Sequence, residues 1–246
     1  KMAQEDQIIT RDPTYKVIIK GNISTKAEEH KYLNYEDAQG LINEVTKKMQ
    51  PKYVSRYIIL FALATGARFS DIMGLTWDNL NFEEKTVTIN KAWDFKDKND
   101  FKATKTFDSK RTITIDEETL KYLKQLKTYQ NKIALATGLR NEKNLVFVNS
   151  KMEIVTNNAV NKTLKRLCRI LGITEITCHG LRHTHASMLL YRGVNIKYIS
   201  KRLGHGDVMT TYSIYSHIMD EMEQKESRAV DETMKDLYGT KILHQN

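Results

Sequence analysis

Two arginines (Arg68, Arg182), a lysine (Lys105), two histidines (His179, His205) and a tyrosine (Tyr215) stand in four short pieces of this chain: TGARFSD, TKT, CHGLRHTHASMLL and RLGHGDVMTTYSIYSH. These side chains make a phosphate-handling set with a candidate nucleophile at its end. Attack of a hydroxyl on a phosphodiester builds negative charge on the non-bridging oxygens, so cations must stand there beforehand. Arginine suits this because its planar fork donates parallel hydrogen bonds and stays charged at physiological pH. A phenol attacking phosphorus keeps the bond energy in an ester, so a broken strand can be rejoined without ATP. With a free phenol pKa of about 10, the attack needs cations and a base nearby.

Each residue also has a plainer role. A single arginine at a helix start is commonly a surface residue. His179 and Arg182 are three apart, which places both on one face of a helix toward one ligand. His179 and His183 also have metal-ligand spacing, but no Glu follows the first His and no second ligand cluster appears, so no metal is expected. His183 and His185 read as packing or capping residues. Asp71 either fixes Arg68 by an ion pair or serves as an acid at a helix N-terminus. Lys105 is flanked by Lys102 and Lys110 in a stretch that also reads as solvated charge. His205 follows Gly204 as a helix-end residue would, and Tyr212, one turn before Tyr215, is the rival nucleophile.

The elements holding these groups are mostly helical. Asn34 caps a helix with Tyr35, Ala38, Leu41, Ile42, Val45 and Met49 at three- and four-residue steps, ending before Pro51. A second helix spans 52–64 and stops at Gly66, leaving Arg68 in the following loop, after which Ser70 caps a short helix through Leu75. Residues 86–90 and 111–115 alternate as strands of a small antiparallel sheet across a Lys- and Asp-rich connection. Helices follow at 116–136, at 157–171 capped by Asn157, and at 179–192, 195–203, 208–217 and 220–237, with a short strand at 145–148.

The composition directs the set toward nucleic acid. With 39 Lys and Arg against 30 Asp and Glu, the net charge of +9 attracts polyanions by releasing their counterions. The chain of 246 residues, 40% hydrophobic, can bury a core as one large domain or two small ones. Cys168 and Cys178 are expected to be free thiols in a cytoplasmic setting. No apolar stretch approaches the roughly 18 residues of a membrane span, so no membrane partner is expected. Residues 1–30 are polar and start without an initiator Met, which reads as a linker and the end of a preceding domain, with residues 31–246 as the catalytic unit and a helical tail from about 220.

The four pieces, in this order, resemble the catalytic signature of the tyrosine recombinases, the phage integrase family, over roughly residues 31–220. ALATGARFSDIMGLTWDNL is similar to the family's first arginine box, with Asp71 where Glu is more usual. Lys105 matches its strand-turn lysine, RLGHGDVMTTYSIYSH its LGH box and terminal tyrosine, and the Tyr-Ser-His context favours Tyr215 over Tyr212. The resemblance implies a mainly α domain with a small antiparallel β-sheet, closing on double-stranded DNA as a clamp with an upstream DNA-binding domain. It also implies a 3′-phosphotyrosine intermediate without cofactor, and a tetramer exchanging strands with accessory directionality or DNA-bending proteins. The spacing of His205 and Tyr215 favours integration or excision of a phage or mobile element. The rivals are a type IB topoisomerase, an inactive DNA-binding derivative of an integrase, and a helical interaction module.

Overall fold

The computed structural model describes residues 32–104 and 109–242, so the expected linker and Lys105 lie outside the described residues. Helix α1 (Tyr35–Lys47) begins as expected, Asn34 accepting from the Asp37 amide. Helix α2 (Val54–Thr65) is apolar on nearly every side and buried along almost its whole length, as a helix hydrophobic all round must be. The other large helices therefore gather around it.

Helix α2 ends at Gly66, whose φ of 65° only glycine adopts freely. A Cβ there would stand 2.6 Å from His185 Cδ2 and 2.7 Å from Leu203 Cδ2, so three chain segments converge at this point. The short helix α3 (Phe69–Met73) starts earlier than the sequence suggests. Arg68, not Ser70, takes the N-cap position, because the Arg68 carbonyl already accepts from the Ile72 amide.

Strands β1 (Leu80–Asn81), β2 (Thr86–Ile89) and β5 (Arg111–Thr114) form an antiparallel sheet in the order β1-β2-β5, with Ile89 opposite Arg111. The charged connection hides a second hairpin, β3 (Lys91–Asp94) with β4 (Asp100–Ala103). Across it Trp93 and Phe101 pack edge-on at 5.3 Å, a cross-strand pair that charge content alone obscures. Residues 145–148 make isolated bridges to Thr76 and Ile154 instead of the expected strand.

Helix α4 (Glu117–Thr137) is capped by Asp116, and α5 (Asn157–Leu171) by Thr156 rather than Asn157. Three further helices carry the site: α6 (Cys178–Tyr191), α7 (Ile196–Leu203) and α8 (Val208–Ile242). The two helices expected at 208–217 and 220–237 are one, because no Gly or Pro interrupts residues 207–238 and every residue there tolerates a helix. Helices α2, α6 and α5 share the main core, while Ala186, Leu190, Ile199, Leu203 and Tyr215 form a second, smaller one. Cys168 and Cys178 are free and buried. Among the described residues no helix is long and apolar enough to cross a membrane.

Candidate active site

The site forms where α2, α7 and the loop after α7 meet the start of α6. Thr177 caps α6 by accepting from the Gly180 amide, and the first turns then present His179, Arg182 and His183. Buried Arg182 donates from Nη1 to the Gly66 carbonyl at 2.7 Å and from Nη2 to the Leu203 carbonyl at 2.8 Å. One guanidinium thus fastens the C-terminal ends of two helices. Its Nη2 also lies 2.8 Å from His205 Nε2. Burial lowers the Arg182 pKa to about 9, assisted by Arg68 and Arg111 and opposed by Asp71 and Tyr215, so it stays charged at neutral pH.

Because a guanidinium only donates, His205 Nε2 must accept, which leaves the ring proton on Nδ1. That nitrogen is 2.8 Å from Thr211 Oγ1, which completes the tautomer. Burial, then Arg182, Arg68 and Arg111, push the His205 pKa down to about 4, so the imidazole is neutral. His185 is held similarly: Nδ1 donates to the Leu63 carbonyl at 2.6 Å, and Nε2 accepts from Arg202 Nε at 3.1 Å. Its burial pushes the pKa down to about 3. This is the packing role expected of it.

Arg68 is partly exposed, with Nη1 3.9 Å from the buried Asp71 Oδ2; Arg111 Nη1 approaches the same oxygen at 3.7 Å. Burial raises the Asp71 carboxyl against the pull of Arg111, Arg68 and Arg182. In the sequence Arg111 stands only as a strand residue. Its signal was the alternation Arg111, Ile113, Ile115, which turns an arginine toward the core. Its Nε donates to the Arg202 carbonyl at 2.6 Å and its Nη1 to the Ser109 carbonyl at 2.8 Å. Burial lowers its pKa to about 10. Among the described residues, Arg68 Nη1 and Arg111 Nη2 are buried donors without a hydrogen-bond partner, so this cluster can bind an anion. Lys110, Arg111, Lys197, Lys201 and His205 line an adjoining open groove.

Tyr215, in the second turn of α8, is only 2% exposed, whereas Tyr212 is 42% exposed. Burial raises the Tyr215 phenol well above its usual range against the lowering influence of Arg182. The Tyr215 hydroxyl lies 2.8 Å from His183 Nδ1. The sequence reading assigned His183 no chemistry; the i, i+4 pair with His179 was the available signal. His179 instead meets the His183 ring edge to face at 4.6 Å, and burial with Arg182 and Arg68 lowers its pKa. Arg68, Asp71, Arg182, His205 and Tyr215 are therefore brought together, with His179 beside them. Among the described residues no three His, Cys, Asp or Glu side chains gather as a metal site.

The Phage integrase family model matches residues 31–222. The chain is 28% identical over 237 residues to a tyrosine recombinase XerC-like protein of Caldanaerobacter subterraneus subsp. tengcongensis, covering 91% of this chain and 59% of that one. It is 26% identical over 214 residues to the integrase of Staphylococcus phage L54a, covering 81% and 59%. It therefore spans less than two thirds of the length of these curated relatives. A Tn1549 transposon integrase solved in complex with a circular intermediate DNA superimposes with a TM-score of 0.69 at 18% identity, over 91% of this chain and 74% of that chain. The crystal structure of XerA recombinase gives 0.59 at 24% identity, over 79% and 64%. These likenesses establish a shared fold.

Proposed function

Because the chain belongs to the phage integrase family, we propose that it is the catalytic part of a site-specific DNA recombinase that cleaves and rejoins strands through Tyr215. The observation that carries this reading is the convergence of Arg68, Arg182 and His205 on the loops around the buried Tyr215 hydroxyl. Arg68 and Arg182 hold the non-bridging oxygens of one phosphate, with charge fixed before any charge develops. His205 hydrogen-bonds the same phosphate after its Nε2 exchanges Arg182 for an oxygen and the ring proton shifts. Asp71 positions Arg68 and Arg111 and touches no substrate.

Tyr215 Oη attacks phosphorus, the bond to the 5′ oxygen breaks, and the 3′ phosphate remains on the protein as a tyrosine ester. Lys105 is the proposed acid for the departing 5′ oxygen. The net charge of +9 and the cationic groove beside His205 support double-stranded DNA as partner, mostly through phosphate contacts. Residues 31–246 form the catalytic domain, preceded by a linker in residues 1–30 from an upstream DNA-binding domain. The working assembly is a tetramer on DNA in the cytoplasm, where accessory proteins set direction. Integration or excision of a mobile element is the biological task. An inactive derivative should lack a reactive group, whereas the described site keeps both arginines, both histidines and the tyrosine.

The test uses nicked duplexes of randomised sequence, from which those forming an SDS-stable protein–DNA adduct without added ATP are recovered. The expected result is an adduct that disappears in Tyr215→Phe while DNA binding persists. An adduct that survives this substitution would overturn the assignment.

A further inference from the structure

The site holds four histidines whose ring nitrogens have different occupations. His205 has its Nε2 lone pair directed at Arg182 and its Nδ1 proton at Thr211. His185 spends one nitrogen on the Leu63 carbonyl and the other on Arg202. His179 lies with its ring against His183. Among these four, His183 is the one hydrogen-bonded to the nucleophile: its Nδ1 sits 2.8 Å from Tyr215 Oη, within the range a base needs to take a proton directly. The rings are tilted by 57° with centroids 5.8 Å apart, so they meet through the hydrogen bond and are not stacked.

We propose that His183 is the base that takes the phenolic proton as Tyr215 attacks the scissile phosphate. The proposal rests on the recombinase reading above and adds to it a residue for the proton the phenol must lose. In the productive tautomer His183 carries its proton on Nε2, and Tyr215 Oη–H donates to the Nδ1 lone pair. On attack the Oη–P bond forms, the P–O5′ bond breaks, the phenolic proton moves to Nδ1, and the 5′ oxygen receives a proton from Lys105. In rejoining, the 5′ hydroxyl attacks the tyrosine ester and the His183 imidazolium returns its proton to the departing phenolate. One side chain thus serves both directions, as reversibility requires.

His179 on the same helix faces His183, with Tyr215 from α8 and His205 from the loop before it, and Arg182 is its neighbour in sequence. His179 and His205 are both shifted toward their neutral forms. A dependence of the cleavage rate on pH that disappears when His183 is replaced therefore assigns the base to His183.

The experiment measures single-turnover cleavage by the full chain, from pH 5 to 9, on a nicked duplex recovered as above. The same duplex is also made with sulfur in place of the bridging 5′ oxygen, a leaving group that needs no proton. His183→Phe and His183→Asn are compared with wild type after confirming folding by circular dichroism and DNA binding. Asn places an amide oxygen near the former Nδ1, so it preserves a hydrogen bond to Tyr215 without accepting a proton. Both variants should cleave about 10²- to 10⁴-fold more slowly, lose the dependence on pH, and gain nothing from the sulfur substrate. Lys105→Ala should be rescued by that substrate. The proposal is overturned if Asn restores wild-type rate and pH profile, if sulfur rescues His183→Phe, or if loss of His183 leaves the rate unchanged or raises it. A wild-type protein that forms no adduct, or a Tyr215→Phe protein that still does, would overturn the recombinase reading along with it.

Discussion

Arg182 donates to His205 Nε2 across 2.8 Å, and the direction of that bond decides where the His205 proton resides. The proton sits on Nδ1 and is directed at Thr211 Oγ1, a fully buried hydroxyl in the first turn of α8. A threonine outside the reactive set therefore holds the nitrogen of His205 that faces away from Arg182.

Thr211→Val keeps the volume and removes that acceptor. A buried donor without a partner costs about 1–3 kcal/mol, and the ring escapes the penalty by moving its proton to Nε2, which then repels Arg182. ¹⁵N NMR of labelled histidine should show His205 protonated on Nδ1 in the wild type and mixed in the variant. Cleavage should fall by roughly tenfold, the factor that about 1.4 kcal/mol represents, because the phosphate-bound tautomer, with its proton on Nε2, loses the Thr211 hydroxyl that would donate to its Nδ1. A His205 pattern that does not change would show that Thr211 has no hold on the tautomer.

Tyr212 and Tyr215 separate by burial. Tyr212→Phe removes a hydroxyl from a side chain 42% exposed and should leave adduct yield and melting temperature within error of wild type. Tyr215→Phe should abolish the adduct and lower stability by about 1 kcal/mol, the usual worth of one buried hydrogen bond. Denaturant titration read beside adduct gels tests both.

Gly204 is in a left-handed conformation, φ 72°, and a Cβ there would stand 2.8 Å from Arg111 Nη1. Gly204→Ala must strain the backbone or displace a guanidinium that also holds the Arg202 carbonyl. We expect a stability loss of about 1–2 kcal/mol. Cleavage should fall by at least tenfold beyond what the stability change explains, because His205 is the next residue. Equal losses in Gly204→Ala and in a remote destabilised control would refute the link.

Acid should loosen the protein before it titrates ordinary carboxylates. His185 and His205 have folded-state pKa values near 3 and 4, below the usual 6.5, so between those limits the unfolded chain binds protons that the folded one excludes. Their contribution is complete above about pH 6.5 and is lost as pH falls toward 4. For fully buried His185 the loss at pH 5 is about 2 kcal/mol. The raised pKa of Asp71 acts in the opposite sense, since protonation relieves a buried carboxylate. Urea midpoints at pH 7 and pH 5 should differ accordingly, and His185→Gln should flatten the difference.

Most of what positions the site could be read from local sequence. Asn34 caps the helix it was expected to cap, the helix expected from Asp116 starts one residue later with Asp116 as its cap, and Gly66, Gly172 and Gly204 end theirs in left-handed turns, because capping and helix arrest depend on a few neighbouring residues. The hairpin of Trp93 and Phe101 is hidden because charged residues dominate its window, and the two aromatics meet only once the strands pair. Arg111 and His183 were missed as site residues for a related reason. Each acquires its role from partners far along the chain, Asp71 and Arg202 for one and Tyr215 for the other, and no spacing rule connects them. Helix α8 runs through the break expected between residues 217 and 220, where neither Gly nor Pro interrupts it.

The bonds of Arg182 to the carbonyls of Gly66 and Leu203 also bear on how such a gene decays. A mutation that removes the guanidinium leaves two buried carbonyls unsatisfied and undoes the meeting of three chain segments, so the product is cleared as a misfolded protein. Replacing Tyr215 by Phe removes one oxygen from a filled core position. Lineages that lose strand cutting yet keep a folded, DNA-holding descendant should therefore discard the tyrosine hydroxyl first and retain Arg182 long after it has ceased to meet a reacting phosphate.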